Sequence, residues 1–155
     1  MSSTPPRGSP ACADALLESL LHSPWSRLGR GPSSFDCWGF VRHVLVHGMG
    51  WDGCPEFPYS DEQARDHEAL FDRLIPQQLA TGAWVPLARP EPYCVVMLGQ
   101  TARVSHVGLW HPSNTVFHCA ETSGVVGQRV PALRALGWTT IQPFRHSEMR
   151  WLSPT

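Results

Sequence analysis

Cys37, His106 and His118 are of types, and at spacings, that could form a nucleophile, a base and a group that orients the base. Counting from Cys37, the apolar residues Phe40, Val41, Val44 and Leu45 fall at +3, +4, +7 and +8, so Cys37 heads the buried stripe of a helix at its N-terminal end. Unpaired N–H groups and the positive end of the helix dipole there favour the thiolate, the nucleophilic form. A lone cysteine on an apolar stripe is otherwise a small core residue, and a base within reach is what separates the two readings. His106 supplies a candidate. In Val104-Ser105-His106-Val107-Gly108-Leu109-Trp110, strand alternation puts Val104, His106, Gly108 and Trp110 on one face. With His111-Pro112-Ser113 as a hairpin loop closed by Trp110 and Asn114, His106 falls directly opposite His118, and opposed residues share a face about 5 Å apart. His118 could then hold the His106 ring so that its other nitrogen faces a thiolate, the third-group role of a triad. Two ordinary half-buried histidines are the alternative, and one register slip would remove the pairing.

The elements that must carry these residues follow from periodicity and punctuation. Residues 1–10 are rich in Ser, Pro and Gly and read as a flexible N-terminal arm, leaving 11–155 as a single domain. Ala13, Leu16, Leu17, Leu20 and Leu21 recur at helical spacing up to Pro24. Gly29 to Ser34 is a loop, Ser33 or Ser34 can cap the next helix, and the Asp36 carboxylate suits its first turn. After a turn region from Gly48 to Tyr59, Ser60 and Gln63 form a capping box for a helix to about Ile75, stopped by Pro76. Downstream, Tyr93 to Leu98, Val104 to Trp110, Thr115 to Ala120 and Trp138 to Phe144 read as strands, with one or two helical turns at Pro131 to Leu136. Helices first and strands after them indicate an α+β domain with an antiparallel sheet.

Composition narrows the function classes. At 155 residues, 42% hydrophobic and 16% charged, with seven Trp, the chain is a folded domain and not a disordered one. A net charge of -1 without a basic stripe gives no drive toward nucleic acid or anionic lipid, and no apolar run reaches a membrane span. The first ten residues lack the layout of a secretory signal, so the expected site of synthesis and retention is the cytoplasm unless other machinery carries the protein out. Five cysteines without a CxxC pair point to neither a zinc site nor a disulfide framework. His43 and His47 are four apart, but Val44 stands where an HExxH motif needs Glu, so they read as a solvated helix face. No cofactor or metal is implied.

The order of these motifs is itself informative. Trp25-Ser26-Arg27-Leu28-Gly29-Arg30-Gly31, Phe35-Asp36-Cys37-Trp38-Gly39-Phe40-Val41, Ser105-His106-Val107-Gly108-Leu109-Trp110 and Val116-Phe117-His118-Cys119-Ala120 together resemble the NlpC family of papain-like cell-wall cysteine peptidases, over about Ser23 to Arg145. The Asp-Cys-Trp-Gly-Phe-Val-Arg wording resembles the phage-tail and gene-transfer-agent branch. The resemblance implies a papain-like fold, with the nucleophile on a helix packed against an antiparallel sheet. It also implies a thiol hydrolase in which Cys37 attacks, His106 is the general base and His118 orients it. The implied substrate is the peptidoglycan stem peptide, cut between D-isoglutamate and a diamino acid, and the implied partners are tail or tail-like hub proteins. The Cys37 N–H would help bind the oxyanion, Asp36 would lie near the substrate's amino end, and Trp25, Trp38 and Ser105 would border the substrate. Three departures bear on substrate preference: Trp25 replaces a tyrosine, Trp38 a serine, and Tyr93-Cys94 a Gly-Asp pair. Two rivals stand beside this reading, a structural tail component without catalysis and an amidase or acyltransferase using the same three residues.

Overall fold

Phe35 decides where the central helix starts. Its N–H donates to Pro24 O at 3.1 Å, its carbonyl accepts from Ser26 N–H at 2.9 Å, and it bridges Trp25 in parallel. A residue pinned in that extended geometry cannot be helical, so α2 (Cys37–His47) begins two residues later. The cap is therefore Asp36, whose Oδ1 accepts from Gly39 N–H at 2.6 Å, and not Ser33 or Ser34; Ser34 instead shares a hydrogen bond with Ser26 at 2.7 Å. The computed structural model describes residues 6–152. Residues 1–5 of the expected arm lie outside them. Within 6–10, Arg7 donates to Val46 O and Gly8 N–H to Gly48 O, each at 2.9 Å, and α1 (Pro10–Leu20) starts with Ser9 as its cap.

The capping box at Ser60 and Gln63 forms as read, with reciprocal bonds of 2.9 and 3.1 Å, but it frames only the 3-10 turn Gln63–Arg65. A second cap, Asp66, opens α3 (His67–Ala80). This helix runs through Pro76 instead of stopping there. The ring removes one N–H from the ladder and crowds the Asp72 carbonyl, yet Asp72 and Pro76 are both exposed, so water can serve the freed carbonyl.

Six antiparallel strands follow: β1 (Trp84–Pro86), β2 (Val95–Gly99), β3 (His106–His111), β4 (Thr115–Ala120), β5 (Gly124–Arg129) and, after the short helix α4 (Val130–Ala135), β6 (Thr140–His146). Their order in the sheet is β1-β6-β2-β3-β4-β5. β1 and β5 have no counterpart in the sequence reading. β1 is a three-residue edge ending in Pro, and in β5 the Val125-Val126 pair is flanked by Gly124 and Gly127, so neither makes a long apolar or β-branched run. The α+β expectation holds: α2 packs on β3 and β4, and Phe40, Val41, Val44 and Leu45 join Val95, Leu98, Val107, Leu109 and Val116 in the core.

One contact ties the Trp25–Gly31 loop to the start of α2. Gly29 O accepts the Asp36 N–H at 2.9 Å, and a Cβ at Gly39 would stand 1.9 Å from that same carbonyl oxygen. A methyl group there must push backbone away from backbone. Gly39→Ala is therefore expected to destabilise the protein by about 3 kcal/mol, the upper range for overpacking, read as a lowered midpoint in urea or thermal unfolding.

Candidate active site

The hairpin register differs from the sequence reading by two residues. Leu109 pairs with Phe117, Trp110 with Val116 and His111 with Thr115, so the loop is Pro112 to Asn114, with Asn114 in the left-handed region at φ 60°. A three-residue hairpin closed by a residue of positive φ is the geometry this loop selects, and asparagine tolerates it. Continued, that register sets Gly108 across from His118 and makes His106 its diagonal neighbour. A shift of two keeps the face, so both imidazoles stay on the same side of the sheet. Gly108 makes the diagonal contact practicable: a Cβ there would come within 2.7 Å of Val116 Cγ1 and 3.2 Å of His118 Cβ.

The two rings meet edge to face, with His106 Nε2 2.9 Å from His118 Nδ1. His118 Nε2 lies 2.7 Å from Oε1 of Gln128 in β5. This second bond decides the tautomers. A carbonyl oxygen only accepts, so His118 carries its proton on Nε2 and offers a lone pair at Nδ1; His106 then donates from Nε2, which leaves His106 Nδ1 as a free base. Gln128 is a functional candidate that the sequence reading missed. Trp138 stacks on His106 at 5.2 Å and 21° between planes, giving the base an apolar wall.

Cys37 stands first in α2, among the unpaired N–H groups of the helix start, and α2 packs on β3, the strand that carries His106. Burial nonetheless pushes the thiol well above its ordinary range, and the neighbouring Asp36 carboxylate adds to the shift. Burial also holds His106 well below its ordinary value, helped by His118 and His67. Both directions favour the neutral thiol and the neutral imidazole, against the pull of the helix end toward the thiolate.

Cys37 lines an apolar cleft between α3, the loop at Trp25 to Leu28 and the start of α2. Trp25, Asp36 and Trp38 line it with Cys37. Ser105 does not: its N–H donates to Leu98 O at 3.0 Å, extending the ladder of β2 and β3. His106 and His118 are buried and are not among its lining residues. Asp36 is more deeply engaged than a free substrate contact would be. Its Oδ1 takes Arg30 Nη1 and Gly39 N–H, both at 2.6 Å, and its Oδ2 takes the Tyr59 hydroxyl. Tyr59 and His67 complete the cleft's polar set, and neither stood out in the sequence because they come from a turn region and a helix start without a motif. The rings of His43 and His47 are 4.5 Å apart; His47 is exposed as expected of a solvated face, while His43 is half-buried and packs edge-on against Phe35. Among the described residues there is no cluster that could hold a metal ion and no helix long and apolar enough to cross a membrane.

This arrangement of a helix-start cysteine on an antiparallel sheet is the NlpC/p60 papain-like fold. Solved structures similar to it include the NlpC/p60 domain of the peptidoglycan hydrolase SagA, at 16% identity over 87% of this chain and 97% of that one, with a TM-score of 0.55. NlpC2 from Trichomonas vaginalis matches at 12% identity, covering 94% of this chain and 49% of that one, TM-score 0.55. A lipoprotein-like NLP/p60 family protein from Staphylococcus aureus matches at 14%, covering 92% and 44%, TM-score 0.52. The chain thus spans nearly all of the SagA domain and about half of the other two. No protein-family model and no curated protein matches the sequence.

Two measurements follow from the neutral pair. Alkylation of Cys37 by iodoacetamide should keep accelerating as pH rises through 9, because a raised thiol gains thiolate only above its ordinary value; a plateau below pH 6 would reveal an ion pair instead. The Gln128→Glu variant should shift the acid limb of kcat/KM to higher pH, since a carboxylate at Nε2 stabilises protonated His118 and removes the lone pair that holds His106.

Proposed function

We propose that this protein is a cysteine peptidase that hydrolyses peptidoglycan stem peptides. The observation that carries the reading is the hydrogen-bonded chain of His106, His118 and Gln128 on strands against which α2, headed by Cys37, packs. In the reaction, His106 Nδ1 takes the thiol proton as the sulfur attacks the amide carbonyl. The tetrahedral oxyanion is met by the Cys37 N–H, which as the first of its helix has no intrahelical acceptor. His106 then returns the proton to the departing amine, leaving a thioester, which a water activated by the same nitrogen hydrolyses. Neutral partners in a dry site suit this order, since charge forms only as the bond is made. A role as a purely structural component would leave this hydrogen-bonded chain without a use.

The finer reading is a cut between D-isoglutamate and the diamino acid, by a protein made in the cytoplasm and carried to the wall on a phage tail or related particle, docked on its hub proteins. It is supported by the motif at 36–42. Digestion of purified sacculi with mass spectrometry of the released fragments tests activity and bond together. Cys37→Ala should abolish release with little change in melting temperature, because it removes the nucleophile and opens only a small cavity. His106→Ala should cost about 10³-fold and His118→Asn about tenfold, since Asn still offers the ring one acceptor. Equal losses for the two histidine variants would mean that His118 does more than orient.

A further inference from the structure

A second depression lies past the end of α2 that is remote from Cys37. Its floor is Trp51, which follows the helix directly and whose backbone N–H donates to Leu45 O at 2.9 Å. Trp51 is 6% exposed and held from several sides. Its ring meets those of Trp84, Trp151 and His146 at 6.2, 6.3 and 4.8 Å, and its indole N–H donates to Glu148 Oε1 at 2.9 Å. Trp151 stands at 62° to it as a half-buried side wall, its own indole N–H donated to Pro92 O at 3.1 Å. A Cβ at Gly53 would come within 3.1 Å of Glu148 Oε1, so glycine there leaves the carboxylate its room. Two charges border the hollow: Glu148, whose Oε2 has no hydrogen-bond partner among the described residues, and the exposed Arg150, whose guanidinium has neither a hydrogen bond nor an ion pair among them. Trp84 connects this depression to the cleft, since it lines the cleft and packs edge-on against Trp51.

We infer that this depression binds one N-acetylhexosamine ring of a glycan strand, so that the protein grips the polymer here while Cys37 acts on the peptides the polymer carries. The occupant must suit two indole walls and two unpaired charges of opposite sign. A cation or an anion would meet one like charge, and a wholly apolar group would strip water from both charges without replacing it. A pyranose offers C–H surface to the indoles and polar groups at its edge, and its acetamido group brings one N–H for the carboxylate and one carbonyl for the guanidinium. The hollow, about 280 Å³, is just below the ~300–1,000 Å³ of sites that enclose a drug-sized ligand and has room for one ring. The 11 residues of α2 span about 16 Å, so a sugar held here stays clear of the reacting groups and adds affinity for the polymer without entering the chemistry. Holding the polymer makes the meeting of peptide and thiol intramolecular. The identity of the polymer rests on the peptidase reading; binding of the sugar does not involve Cys37.

The β-1,4-linked tetramer of N-acetylglucosamine is titrated against the full chain by ligand-observed NMR, with maltotetraose, which has hydroxyls but no acetamido groups, as the control. We expect saturable binding with a dissociation constant of about 1 mM for the first and binding at least about tenfold weaker for the second. Arg150→Ala, at an exposed position where folding tolerates it, and Trp151→Ala should each weaken binding about tenfold, with melting temperature reporting on the fold of the second. On sacculi both variants should release fragments about tenfold more slowly, while kcat/KM for a soluble stem peptide stays unchanged. Equal binding of the two tetramers, or binding that survives both substitutions, overturns the inference and leaves the hydrolase reading intact. An equal loss on sacculi and on soluble peptide also overturns it, because the effect then lies in the fold. If neither sacculi nor peptide is cut while the acetylated tetramer binds the wild type more tightly than the variants, the hydrolase reading falls and the saccharide site stands.

Discussion

The Asp36 carboxylate is the group on which the rest of the site depends. It is 5% exposed, and a carboxylate so deeply buried is tolerable only when its lone pairs are filled. Its partners come from three stretches of chain: Gly39 in the first turn of α2, Arg30 from the preceding loop and Tyr59 from the turn region after α2. One side chain therefore fixes where the helix begins, how the Trp25–Gly31 loop lies across it and where the cleft has its floor. Cys37 follows at the next position, so its placement is set by its neighbour's hydrogen bonds more than by its own. The same carboxylate also opposes ionisation of the thiol, so the cap that fixes the place of Cys37 also favours its protonated form.

That opposition gives the histidines their task. A thiol raised by burial and by a neighbouring anion needs a base that is unprotonated, correctly turned and near in the fold. Burial supplies the first condition and Trp138 stacking restrains the ring. Orientation comes from the diagonal contact across Gly108 and its continuation to Gln128. A diagonal pair has a longer backbone separation than an opposed one, about 7–8 Å, and imidazole rings span it only because nothing fills the space at Gly108. A larger residue there would crowd Val116 and the Phe117 carbonyl of β4 as well as separate the rings.

Much of this was legible in the chain. The stripe Cys37, Phe40, Val41, Val44 and Leu45 defines α2, and the Val104–Trp110 and Thr115–Ala120 segments define β3 and β4, because strong periodicity reports burial directly. The shared face of His106 and His118 survived an error in the loop, since a register shift of two residues preserves alternation. What was not legible depends on partners remote in sequence. Asp36 rather than a serine caps α2 because Pro24 and Ser26 hold Phe35 extended, and neither bond has a local signature. Pro76 continues a helix because its turn is exposed. β5 has only Val125 and Val126 between two glycines, with Gly127 lying under the Phe117 ring where a Cβ would come within 2.6 Å, so the strand that delivers Gln128 is too short an apolar run to stand out.

Tyr93 shows how far packing can override local preference in this fold. It stands where the related wording has glycine and takes a left-handed φ of 59°, a conformation that disfavours an aromatic side chain. Its ring is 1% exposed, and its hydroxyl donates to Asp14 of α1, which His111 Nε2 also reaches at 3.1 Å. Burying an aromatic ring is worth about 2–3 kcal/mol, more than the roughly 1–2 kcal/mol that a left-handed non-glycine residue costs. The substitution therefore gains a bolt between α1, the entry to β2 and the end of β3. That bolt lies on the side of the sheet that receives α1. The cleft carries its own departures, Trp25 and Trp38 in place of hydroxyl residues, and both add apolar surface without adding charge. The changes in wording thus divide by location: the one at 93 stiffens the frame, and the two at 25 and 38 make the cleft beside the Cys37 thiol more apolar.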